Sequence, residues 1–214
     1  MNAGLQNQIG AIAKALIALC AAAVFAFGVD SAKEAFDRGL SAHDRGNLQE
    51  AIKQYAQAIA IDPNFTNAYY NRANAYKNLG NNKQAIADYT QAIAIDPNFT
   101  DAYNNRGNTY KNSGDYKRAI ADYNQALKID PQYTKAYVQR GNAYDDLGET
   151  GKAIADYTQA LKIDPKLAQA YYNRAFVYRN LGDLKNATKD ARKACDLGDC
   201  DMLQLMTRNK QLRD

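Results

Sequence analysis

Charged residues at a fixed spacing are the first feature of this chain that could carry chemistry. Arg38, Arg72, Arg106, Arg140 and Arg174 recur every 34 residues, and Asp88, Asp122, Asp156 and Asp190 keep the same step. A row of guanidinium groups can grip acidic ligands, and the same row paired with the aspartates would instead orient neighbouring helices. The cysteines are Cys20, Cys195 and Cys200. Cys195 and Cys200 lie five residues apart and form a candidate disulfide if the chain is exported, whereas Cys20 falls in an apolar run and needs no chemistry. His43 is the single histidine and reads as a solvated polar residue. One histidine and three cysteines leave almost nothing for a zinc site, and no phosphate loop, nucleophile elbow or metal-ligand spacing is present. These features predict no catalytic residue, no metal, no cofactor and no enzyme activity.

The elements that position these residues belong to a globular protein. The 214 residues are 46% hydrophobic and 23% charged, enough to bury a sizeable core. Lys and Arg number 27 against 23 Asp and Glu, a net charge of +4, so nucleic acid is not expected as the main partner. The run from Ala15 to Val29 is uncharged and mostly apolar, follows Lys14 and ends at Asp30. Residues 1–28 therefore read as a secretory signal peptide, with Ala26 and Gly28 as the small residues near its end. The alternative is an uncleaved anchor that begins at Ile9 and contacts the membrane through residues 1–28 alone.

The remainder is built on one period. Pro63, Pro97, Pro131 and Pro165 are 34 residues apart. Small residues keep the step at Gly39, Ala73, Gly107, Gly141 and Ala175, at Ala51, Ala85, Ala119, Ala153 and Ala187, and at Ala58, Ala92, Ala126, Ala160 and Ala194. Tyrosines recur at Tyr76, Tyr110, Tyr144 and Tyr178, and again at Tyr55, Tyr89, Tyr123 and Tyr157. Inside a unit the apolar residues follow helical spacing, as in Ala85, Ile86, Tyr89, Ala92 and Ile93. Gly80, Gly114, Gly148 and Gly182 suit a helix C-terminus that needs positive φ. Asn81, Asn82, Asp115 and Asp183 can then cap a second helix, which the Asp-Pro step ends. Thr66, Thr100 and Thr134 are expected to cap the next unit. Each unit is thus helix, tight turn, helix, turn.

The pattern Tyr69, Ala73, Tyr76, Ala85, Tyr89, Ala92, Pro97 resembles that of the tetratricopeptide repeat family, and so does Tyr103, Gly107, Tyr110, Ala119, Tyr123, Ala126, Pro131. The resemblance implies an all-α, right-handed superhelical solenoid of helix-turn-helix repeats with a C-terminal capping helix. Five repeats are expected within residues 29–201, at 32–65, 66–99, 100–133, 134–167 and 168–201, with residues 202–214 as the cap. Repeats one and five depart from the pattern, with Ala35 and Ala42 in place of tyrosines and Ala191 in the second tyrosine column. In the cap, Met202, Leu205 and Met206 are expected on one face, with Lys210 and Arg213 elsewhere.

The family's first helices line a concave groove, into which repeat positions 2, 5, 9 and 12 point. Carried onto this sequence, repeat two offers Asn67, Tyr70, Asn74 and Lys77, and repeat three offers Asp101, Asn104, Asn108 and Lys111. Repeat four offers Lys135, Val138, Asn142 and Asp145, and repeat five offers Gln169, Tyr172, Phe176 and Arg179. Asn74, Asn108 and Asn142 recur in step; each amide both donates and accepts, so the row can hold an extended peptide backbone. The two-carboxylate clamp of chaperone-binding members is missing, because Phe36, Leu40, Asn104 and Asn108 stand where its Lys, Asn and Arg belong and only Asn71 matches. The expected function is a scaffold that binds a peptide or protein segment in the groove outside the cytoplasm, periplasmic or extracellular, or at a membrane anchor. The alternative is a self-assembling structural subunit joined through its terminal repeats or N-terminal segment.

Overall fold

The structure, a computed structural model, describes residues 31–211, with side chains to residue 207. The signal or anchor reading of residues 1–28, with Lys14 and Cys20, lies outside the described residues, as do the side chains of Lys210 and Arg213. The chain divides into two compact units, Met1–Ile95 and Asp96–Asp214. In the first, α1 covers residues 31–44 and is followed by α2 (Leu48–Ile61), α3 (Thr66–Asn78) and α4 (Asn82–Ile95). The second unit holds α5 (Thr100–Asn112), α6 (Tyr116–Ile129), α7 (Thr134–Asp146), α8 (Thr150–Ile163), α9 (Ala168–Asn180) and α10 (Leu184–Asp196). It ends with α11 (Asp201–Gln211). The described residues are therefore all α, with five helix pairs followed by one further helix, as the 34-residue period predicts.

Local chemistry sets the boundaries. Gly114 turns α5 into α6 at φ 78°, a conformation that costs glycine little. Asp115 then caps α6 by accepting from the Arg118 amide, and Asp183 caps α10 by accepting from the Asn186 amide. Asp130 and Asp164 leave the helix in an extended conformation, as the residue before proline must. Their carboxylates accept from the Gln132 and Lys166 amides across the turn. One expectation fails. Thr66, Thr100 and Thr134 are the first helical residues, while Phe65, Phe99 and Tyr133 hold the capping position without a side-chain bond. The reason is packing, since Phe65 and Tyr133 lie against the buried clusters beneath them and a threonine could not.

The core of each of the first four pairs is a tyrosine ring against a small residue. Tyr55, Tyr89 and Tyr123 are 0% exposed. A Cβ added at Gly107 would lie 2.7 Å from the Tyr123 ring, and one at Gly141 would lie 2.7 Å from that of Tyr157. Ala73 stands in the same column beside Tyr89, so a methyl is accommodated there. Alanines close the rest, for example Ala119 and Ala126 of α6 with Ala136 and Ala143 of the next helix, α7, in the cluster of Tyr123. Among the described residues, no helix is long and apolar enough to cross a membrane.

Tyr123→Ala removes the ring that separates α5 from α6. It is expected to lower stability by about 3–5 kcal/mol, read from the urea midpoint at unchanged helical content.

Candidate functional site

The arginine and aspartate rows meet inside each pair. Arg72 binds Asp88 through two bonds of 2.7 and 2.8 Å, and Arg106 binds Asp122 through two of 2.8 and 2.7 Å. Arg140–Asp156 and Arg174–Asp190 repeat the fork. The aspartates are buried, so the pairs sit in a medium where a lone charge would be costly. Each guanidinium also lies 5.5–5.8 Å from the ring of the tyrosine three residues before it. Burial pulls the Arg140 guanidinium down, and the Asp156 carboxylate more than offsets that pull. In the second unit Arg140 additionally reaches Asn124 and Arg174 reaches Thr158, each on the preceding pair. These arginines orient helices. Repeat one has Gln54 in the aspartate column, and Arg38 binds its side-chain oxygen.

The asparagine row has a second role that its spacing alone did not reveal. Asn74 accepts from the Tyr89 hydroxyl at 2.5 Å, Asn108 from Tyr123 at 2.8 Å and Asn142 from Tyr157 at 2.7 Å. Asn142 Oδ1 also accepts from the Asn173 amide at 2.9 Å. The oxygen of each amide is therefore engaged with a buried phenol, which takes one of its two acceptor positions, and at Asn142 the Asn173 amide takes the other. At Asn142 both acceptor positions are filled, and the NH2 arm is what remains for a ligand. A signal for this was present in the sequence, because the asparagine precedes the tyrosine by 15 residues in repeats two to four and the pair is broken or absent at both ends. Repeat one has Leu40 with Tyr55, and the Tyr55 hydroxyl is buried with no partner. Repeat five has Phe176 with Ala191 and needs neither group.

The other predicted groove residues fall into three sets. Asn67, Asp101, Lys135 and Gln169 are exposed at the starts of α3, α5, α7 and α9, and Asp101 accepts from the Tyr133 hydroxyl. Asn104 and Val138, each 4% exposed, are buried and offer a partner no surface; the Asn104 side-chain oxygen is unpaired. The half-buried set contains Lys77, Lys111, Asp145, Tyr70, Tyr172, Phe176 and Arg179. Burial pushes the Lys77 ammonium down, and burial with Asp146 pushes the Asp145 carboxyl up. Tyr70 leans on Tyr89 at 5.9 Å, and the Arg179 guanidinium lies 4.8 Å from the Phe176 ring.

Cys195 and Cys200 have their Cα atoms 4.0 Å apart with the sulfurs bonded. His43 is half-buried with Nε2 covered and unpaired, not solvated as expected. In α11 Met202 is buried and Leu203 and Met206 pack beside it, whereas Leu205 is exposed. Met202 and Met206 lie on the packed face as their spacing implied, with Leu203 in place of Leu205. Among the described residues, no group of three or more His, Cys, Asp or Glu side chains could hold a metal ion.

Comparison with known proteins agrees with this geometry. Family models described as tetratricopeptide repeat match residues 66–99, 100–133, 122–155 and 168–197, and one described as TPR repeat matches 39–80 and 141–182. A comparison with curated proteins by sequence gave no match. Among solved structures, a crystal structure of MamA is 26% identical with a TM-score of 0.70 over 74% of this chain and 93% of that one. MamA from Desulfovibrio magneticus RS-1, residue 41 to the end, is 23% identical with a TM-score of 0.72 over 78% and 95% of the two chains. YrrB, described as a TPR protein with an unusual peptide-binding site, is 22% identical with a TM-score of 0.68 over 86% and 97%. The latter two likenesses are of fold.

The tyrosine locks generate two tests. Tyr55→Phe removes an orphaned hydroxyl and is expected to raise stability by about 1 kcal/mol, whereas Tyr123→Phe strands the Asn108 oxygen and lowers it by about 1 kcal/mol. Opposite shifts of the two urea midpoints are the outcome to look for. The second test is alkaline. Burial, with Asp44 adding, pushes the Tyr55 phenol up to about 12, and burial raises Tyr89, Tyr123 and Tyr157 as well. A folded-state value above the unfolded one gives stability that is complete below about pH 10 and lost as pH rises through the folded values. Urea midpoints should hold up to about pH 9 and then fall, less steeply in Tyr55→Phe.

Proposed function

This chain belongs to the tetratricopeptide repeat family, and from that premise we propose that it holds an extended segment of a partner protein along its first-helix face, outside the cytoplasm. Proteins of this fold serve as scaffolds that bind proteins and peptides, and the reading is of binding without catalysis. The observation that carries it is the fixed orientation of the Asn142 amide. Two donors, Tyr157 and Asn173, converge on its oxygen, so its NH2 arm is held ready for a carbonyl. Asn108, one repeat earlier, is held by the first of these bonds, from Tyr123. Carbonyls of an extended backbone are acceptors of the right kind for such a row. Half-buried Tyr172 and Phe176 supply apolar anchors for the segment, and Lys111, Asp145 and Arg179 supply its charge preference.

Export rests on the amino-terminal sequence. Lys14, the apolar run from Ala15 to Val29 and the small residues Ala26 and Gly28 support a secretory signal, with a retained anchor as the alternative fate of the same segment. Intact mass of the protein isolated from its own host reads cleavage directly; a full-length chain found in the cytoplasmic fraction would remove the export reading.

The groove is tested with substitutions that keep the lock and delete the donor. Asn108→Asp with Asn142→Asp retains an oxygen for each tyrosine and replaces NH2 by a second acceptor. Peptides selected from a random library on the wild-type chain are expected to lose at least about tenfold in affinity for the double variant, at an unchanged circular dichroism spectrum. Unaltered affinity would place the peptide elsewhere.

A further inference from the structure

Repeat five closes differently from the repeats before it. Where Tyr89, Tyr123 and Tyr157 fill the space between paired helices, α10 has Ala191. The space is taken by Met202 of α11, 0% exposed, which packs with Ala175 and Ala191 and against Tyr172 and Phe176. A second column changes with it. Leu127 and Leu161 are buried near the ends of α6 and α8, in the clusters that receive the next first helix through Ala136 and Ala170. The residue in that column on α10 is Cys195, and its sulfur is bonded to Cys200, which immediately precedes α11. At this seam a covalent bond stands where the inner repeats rely on a leucine.

We propose that the end face of α9 and α10 is a seat for a methionine-bearing helix, filled by the chain's own α11, and that the Cys195–Cys200 disulfide controls whether it stays filled. Two side chains that hold a seam in the inner repeats, a tyrosine and a leucine, are both smaller here. Without the bond α11 keeps the Met202 contact and the flanking Leu203 and Met206, while Leu205 points away from the core. A dithiol opens the clasp by exchange. Its thiolate attacks one sulfur, the second thiol resolves the mixed disulfide, and the products are two cysteine thiols and the oxidised dithiol. With α11 released, Ala175, Ala191 and Phe176 become an apolar surface that fits a helix with the same side chains.

The test uses the full chain, oxidised and after treatment with dithiothreitol. Reduction is expected to cut amide protection over residues 201–211 by at least about tenfold while leaving α6 and α8 unchanged. Equal protection of α11 in both states would overturn the clasp, and so would loss of protection throughout α6 and α8, which would make the bond a requirement of the fold. A fluorescent peptide of residues 200–211 carrying Cys200→Ser reads the seat itself. It is expected to bind the reduced chain and not the oxidised one, and to lose binding with Met202→Asp. Equal binding to both redox states, or binding that survives Met202→Asp, would overturn the seat.

Discussion

The whole arrangement depends on how closely two helices can approach when a tyrosine ring lies between them. At Gly107 and Gly141 even a methyl group would meet the ring at 2.7 Å, so the pair closes only because that column is small. The close approach buries the phenol completely, and a buried hydroxyl needs an acceptor. Asn108 and Asn142 supply it from the first helix. A packing choice in the interior thereby fixes the orientation of an amide at the surface. The residues proposed to recognise a peptide are ordered by the same contacts that hold the fold.

The ends of the array show what each column does, because there the columns fail. Leu40 keeps apolar contact with Tyr55 but cannot accept its hydroxyl, and an orphan results. Gln54 replaces the buried aspartate, and Arg38 keeps one bond where its counterparts make a fork. Repeat five drops the tyrosine, the asparagine and the large apolar residue near the end of α10 together, and α11 restores the lost volume with Met202. The tyrosine and the asparagine are lost together at that end, whereas repeat one keeps the ring without the amide and leaves the Tyr55 hydroxyl without a partner.

Much of this was legible in the sequence, for a physical reason. Periodic columns report contacts within one helix pair, and those contacts repeat with the period. The turn glycines, the Asp-Pro exits and the Arg–Asp pairing at a separation of 16 residues could all be read directly. Features that depend on the neighbouring pair were not readable. Asn104 and Val138 occupy positions that point into the groove in the family, yet both are buried, Val138 in the cluster of Tyr157 and Leu161. Thr66 is the better capping residue by type, but Phe65 takes the site because its ring has a core to enter. His43 is similar: a helix-end polar residue reads as solvated until the packing around Nε2 is known.

On the proposed face, affinity and specificity fall to different columns. The asparagines are identical in repeats two to four, so an amide row reads only what every peptide has, its backbone carbonyls. Position 12 differs in each repeat of the second unit, with Lys111, Asp145 and Arg179 in turn. A ligand matched to that order would carry an acidic, a basic and an acidic group in register with the three repeats, and a mismatch would set like charges against each other at half-buried sites. Burial makes such a mismatch more costly than it would be between exposed groups, because a charge already partly stripped of water gains most from a partner and loses most from a like neighbour. Asp145 shows this already, since burial and its own neighbour Asp146 both push its carboxyl toward the neutral form. A cation delivered there by a ligand would restore the charge, so binding at this repeat would take up less ligand charge in acid than in neutral solution. On the proposed reading, order along the face would distinguish one segment from another.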